Sequence, residues 1–126
     1  MKTPEPLPMF TAYVVATLLA AAANTFSATV DFLRYQPVLT NMAKLGVPES
    51  WLYLLGALKA AGAIGLLAGF GVPLIGTAAA AGLILFFTAA LLTHLRARDY
   101  GLAPSGTFLL LAVATLALGL AHRGPW

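Results

Sequence analysis

Four long apolar runs, at residues 9–30, 51–70, 73–95 and 105–121, limit this chain to a very small set of folds. Crossing the hydrocarbon of a bilayer takes about 20 mostly apolar residues, and each run meets or approaches that length. In lipid every backbone polar group has to be satisfied within the protein. Long uninterrupted runs of this kind therefore read as spanning helices. The composition agrees, since 60% of the residues are hydrophobic and 9% charged. That is too apolar for 126 residues to hide in one soluble core. The expected fold is all-α, an integral membrane four-helix bundle forming one four-span unit over residues 1–126.

An even number of spans places both termini on one side of the membrane, the terminal side, and the first and third connections on the other, the loop side. Arg34, Lys44, Arg96 and Arg98 fall on the loop side, Lys2 and Arg123 on the terminal side. The positive-inside rule then places the loops in the cytoplasm and the termini outside, in a multi-pass protein of the inner cell membrane. The net charge of +3 is dispersed over loops and ends, so it reads as a topology signal and not as a nucleic-acid surface. The first run resembles a secretory leader in having Lys2 before it and small residues at Ala20 to Ala23. Its apolar pattern continues to Val30, which favours a span.

Only Gly71 and Val72 separate the second run from Pro73, so these two spans form a helical hairpin. In the longer first connection, Pro37 and Gly46 bracket Val38, Leu39, Met42 and Leu45 at helical spacing. A short interfacial helix is expected there, between spans one and two. Trp51, Tyr53, Tyr100 and Trp126 fall near span ends and read as interfacial anchors. Gly65 and Gly69 make a small-residue packing pattern without naming a partner helix.

Lys59 stands inside an otherwise uncharged run. A charge there costs at least ~2.5 kcal/mol on insertion scales, so it needs a partner, a cavity or a task. On span one, Asn24, Ser27 and Asp31 share one helix face. Lys59 lies roughly 12 Å below the loop side, at about the depth of Asn24. His94 closes span three at the level of Asp31. Depth alone therefore predicts a two-layer polar site, with Asn24 and Lys59 deep and Asp31 and His94 at a mouth facing the loop side. Simpler readings stand beside each residue. Lys59 snorkels, Asp31 ends its span or pairs with Arg34, His94 is merely interfacial, and Asn24 and Ser27 join helices by hydrogen bonds.

No cysteine is present, which removes thiolate metal sites and dithiol redox chemistry. His94 and His122 end spans at opposite faces, about a bilayer apart, so neither a bis-histidine haem nor a two-histidine metal site is expected in one chain. No metal ligand set is assigned.

The stretches KLGVPESW (44–51), GALKAAGAIGLLAGF (56–70) and THLRARD (93–99) resemble the DoxX-like family of small bacterial membrane proteins. Its leucine-glycine-x-proline entry to span two, its lysine in a glycine-rich second span and its histidine closing span three correspond to Gly46 and Pro48, Lys59 and His94. The resemblance covers nearly the whole chain and implies a compact four-helix bundle. Some relatives are linked with quinone-dependent sulfur oxidation or membrane redox complexes, others with biosynthetic enzymes. Redox chemistry here would run through a bound quinone or a partner subunit, because the chain brings no intrinsic cofactor.

Three functions follow as expectations. The first is a bundle that binds a small hydrophobic molecule, a quinone or prenyl-type lipid, through Asn24, Ser27 and Lys59. The second is an intramembrane acid–base enzyme, an isomerase, cyclase or epoxide-opening catalyst, with Lys59, Asp31 and His94 as catalytic residues. Desolvation favours the neutral amine of a lysine, the form that accepts a proton. The third is a small transporter or a structural subunit, working as a homo-oligomer or with a membrane-complex partner.

Overall fold

The computed structural model describes residues 7–124. Lys2 and Trp126, read above as a topology charge and an anchor, lie outside the described residues. Five helices follow one another: α1 (Leu7–Phe32), α2 (Gln36–Leu45), α3 (Leu52–Ala68), α4 (Pro73–Arg96) and α5 (Ala103–Arg123), with a 3-10 turn at Glu49–Trp51 leading into α3. Helices α1, α3, α4 and α5 are long and apolar enough to span a membrane. The four long helices coincide with the four expected apolar runs to within two residues at each end.

The four long helices form a closed up-down-up-down ring in which α1 packs on α3, α3 on α4, α4 on α5 and α5 on α1. Small residues dominate the contacts. Ala20, Ala80 and Ala112 form the buried centre with Leu66, Leu83 and Phe87, while Leu85, Leu110, Ile64 and Phe26 point outward and are about 70% exposed. Bulky apolar side chains on the outside and small ones inside are what a lipid solvent dictates, because helices there associate by close packing and not by expelling water.

The hairpin between α3 and α4 shows the principle at its tightest. A Cβ on Gly69 would stand 2.5 Å from the Cα of Gly76, so only glycine lets these backbones touch. Gly62 and Gly65 face Leu83 and Ala79 of the same helix, which identifies α4 as the partner of the Gly65–Gly69 pattern.

Proline and positive-φ residues set the helix limits. Pro37 sits in the first turn of α2 and Pro73 opens α4, positions where a missing N–H costs nothing. Gly46, at φ 71°, ends α2 in the left-handed region and donates to Ala43 O. The expected helix between Pro37 and Gly46 is thus α2. At the loop-side ends of α1 and α4 the left-handed position is filled by arginine, Arg34 at φ 55° and Arg98 at φ 57°. The next amide closes each end: Tyr35 N–H donates to Val30 O at 3.1 Å and Asp99 N–H to His94 O at 2.9 Å.

Candidate functional site

The inward face of α1 is polar over most of its length. Tyr13, Thr17, Asn24 and Asp31 are all buried on it, and Ser27 is half-buried. Opposite its loop-side end, Gly56 of α3 brings the helices together, since a Cβ there would lie 3.1 Å from the Cβ of Asp31. This approach carries Lys59, one turn deeper on α3, under the carboxylate. Lys59 Nζ donates to Asp31 Oδ2 at 2.8 Å and to Ser27 Oγ at 2.8 Å. Asp31 is 2% exposed, and the Lys59 side chain 13%.

The direction of helical side chains explains why these groups meet. Cα–Cβ bonds tilt toward a helix's own N-terminus. Helix α3 begins on the loop side, so Lys59 leans up toward it, whereas α1 begins on the terminal side, so Asp31 and Ser27 lean down. The two sets converge. Asn24 leans down as well, away from Lys59, and its Nδ2 donates to Ala20 O of its own helix at 2.9 Å. No hydrogen bond joins Asn24 to Lys59, the two residues expected to share the deep layer. Asn24 is 1% exposed, and its Oδ1 has no protein donor.

Lys59 leans toward the loop side, and its amine reaches Asp31, the penultimate residue of α1. Asp31 in turn does not pair with Arg34, which donates to Glu49 Oε1 at 2.7 Å on the surface. A protonated Lys59 keeps a third N–H with no acceptor among the described residues, and the Phe86 ring lies 5.8 Å from Nζ.

His94 is buried at the end of α4, with Nδ1 3.3 Å from Asp99 Oδ2. No hydrogen bond satisfies that nitrogen, and the contact lies outside good hydrogen-bond geometry. His94, Asp31, Ser27 and Lys59 all line one cleft of about 530 Å³, bounded by α1, α2, α3, α4 and the start of α5. Phe26, Phe87 and Phe108 supply apolar walls, and Asn41 of α2 and Ser105 of α5 add polar groups. Phe87 and Phe108 meet edge-to-face at 5.1 Å. Asn24 does not line this cleft, and α2 borders it through Pro37, Val38 and Asn41.

Phe87, Phe108, Asn41 and Ser105 are absent from the set expected from sequence. In helices apolar on every side no periodicity marks an inward phenylalanine, and no signal could have found it. Ser105 was detectable as a polar residue at the loop-side end of span four, level with Ser27 on the antiparallel α1. Of the expected anchors, Trp51, Tyr53 and Tyr100 are exposed at loop-side helix ends, and Tyr53 stacks on Phe32 with ring centroids 6.3 Å apart.

The opposite end of the bundle holds a second polar cluster. There Arg123, the last residue of α5, reaches Tyr13 of α1 and Thr77 of α4. His122 lies against the rings of Phe10 and Tyr13, on the other face from His94.

Chemically, the loop-side cleft offers one fixed cationic donor beside its counter-ion, a buried imidazole, and an aromatic wall. No curated protein and no solved structure matches the chain. A model of the DoxX-like family matches residues 15–120 of the 126, and the chain belongs to that family.

Proposed function

We propose that the bundle binds a small lipophilic molecule in the loop-side cleft, with Lys59 donating a hydrogen bond to an acceptor on its head. The observation that carries this reading is the unused N–H of a lysine already fixed by Asp31 and Ser27 at the edge of an aromatic-walled cleft. A donor held by two partners loses little freedom when a third arrives, so the site is prepared for a carbonyl. A quinone or prenyl-type lipid with an oxygen-bearing head fits that chemistry. It would enter from the bilayer in an inner-membrane protein whose loops face the cytoplasm.

Thermal unfolding of the purified protein, titrated with a short-chain quinone and with a hydrocarbon of the same size lacking the carbonyls, tests this. The reading expects the quinone alone to raise Tm. Equal shifts from both compounds, or none from either, would count against it.

A second reading as an acid–base catalyst has one observation in its favour, that His94 and the Lys59–Asp31 pair line the same cleft. The amine there is already engaged as a donor to two oxygens, which suits charge stabilisation better than proton removal. Turnover of a lipophilic substrate lost in His94→Gln while ligand retention persists would favour catalysis over binding alone.

A further inference from the structure

The partly buried cations at the two ends of this bundle differ in their partners. On the loop side Lys59 pairs with Asp31 and the surface Arg34 with Glu49, His94 lies beside Asp99, and the exposed Lys44, Arg96 and Arg98 have no carboxylate partner among the described residues. Every carboxylate among the described residues is spent there. On the terminal side Arg123 is half-buried and has no carboxylate partner among the described residues.

The guanidinium is nonetheless held firmly. Its Nε donates to Tyr13 Oη at 3.1 Å, and Nη1 to Thr77 Oγ1 at 3.1 Å and to Gly124 O at 2.6 Å. The charge also lies 5.4 Å from the centre of the Tyr13 ring. Three of the five N–H groups thus go to neutral oxygens, leaving the two on Nη2. Glycine makes room around that nitrogen: a Cβ on Gly76 would stand 3.1 Å from Nη2 and one on Gly119 3.0 Å. The result is a fixed positive group whose two Nη2 donors and charge have no partner among the described residues, set within about two turns of the helix ends. With the four long helices spanning a bilayer, that is the level of the lipid phosphates.

We propose that Arg123 is an anion site that takes one phosphate group through Nη2, its natural occupant being the phosphodiester of an anionic lipid in the terminal-side leaflet. Neutral oxygens orient the guanidinium without cancelling its charge, which leaves the full attraction for the phosphate. The site is independent of the loop-side cleft.

Native mass spectrometry of delipidated protein in neutral detergent tests it, with short-chain phosphatidylglycerol and inorganic phosphate as separate probes. The expected result is one tightly held phosphatidylglycerol, weakened roughly ten- to hundredfold in Arg123→Gln, the range of a charge-assisted hydrogen bond. Gly119→Ala, which keeps the charge but crowds Nη2, weakens it as well, so a poorly folding Arg123→Gln does not leave the test open. Arg123-dependent binding of inorganic phosphate with equal affinity supports the site and assigns it a soluble source. Lipid binding unchanged in both variants overturns the proposal and leaves Arg123 as a staple between helices.

Discussion

Removing Asp31 should damage this protein more than removing Asp31 and Lys59 together. At the observed 2.8 Å, and with an effective dielectric constant of 20, the pair attracts by 332/(20 × 2.8), or about 6 kcal/mol. Desolvating each ion opposes that gain by several kcal/mol, so the intact pair contributes little net stability. Breaking it is different. Asp31→Ala leaves a cation, its side chain 13% exposed, with one neutral acceptor, Ser27 Oγ, and should cost about 3–5 kcal/mol. Lys59→Met leaves a carboxylate 2% exposed, with a similar penalty. The double variant carries neither orphan charge and should recover most of the loss. Reversible unfolding of the purified protein in mixed micelles of increasing SDS, followed by helix content, gives the three free energies. A coupling energy of at least about 2 kcal/mol is expected. Single costs that sum to the double cost within about 0.5 kcal/mol would refute the pair as a coupled unit.

Other consequences are as direct. Gly76→Ala, at the point where α3 and α4 backbones touch, should cost more than about 2 kcal/mol in the same assay, since backbone cannot give way as a flexible side chain can. Gly82→Ala, where nothing lies within 4 Å, should be neutral or gain up to about 1 kcal/mol from helix propensity. Arg98→Gly should raise stability by up to about 1 kcal/mol, because a left-handed residue at φ 57° suits glycine, and no change in unfolding midpoint would contradict that. Phe108→Ala, which removes a cleft wall that makes no hydrogen bond to the ion pair, should weaken quinone-dependent stabilisation while leaving the Lys59–Asp31 coupling energy unaltered.

The parts of this fold that were legible in the sequence rest on strong, one-dimensional signals. Run length located the spans, two residues between runs dictated the α3–α4 hairpin, and Pro37 with Gly46 bounded α2. Lys59 announced itself by the cost of its charge. What eluded the reading was direction. Asn24 and Lys59 have Cα atoms at similar depth, but on antiparallel helices their side chains tilt apart, while Asp31 and Ser27 tilt toward the amine. Applying that tilt to the sequence would have paired Lys59 correctly.

Arg123 was obscured differently, by being counted as a topology charge. The clue to its inward role was Tyr13 and Thr77, polar residues within two turns of the same membrane face on two other spans. The aromatic wall of Phe87 and Phe108 had no clue at all, because in a helix apolar on every side burial leaves no periodic trace.

The central claim, that the cleft holds a lipophilic molecule through Lys59, is tested most directly by mass spectrometry of small molecules extracted from gently purified protein. The native chain is compared with Lys59→Met/Asp31→Leu, the variant expected to keep the fold by removing both charges. A defined compound present with the native chain and lost from the variant is the predicted result. A compound retained equally by both, or absent from both, would contradict the claim.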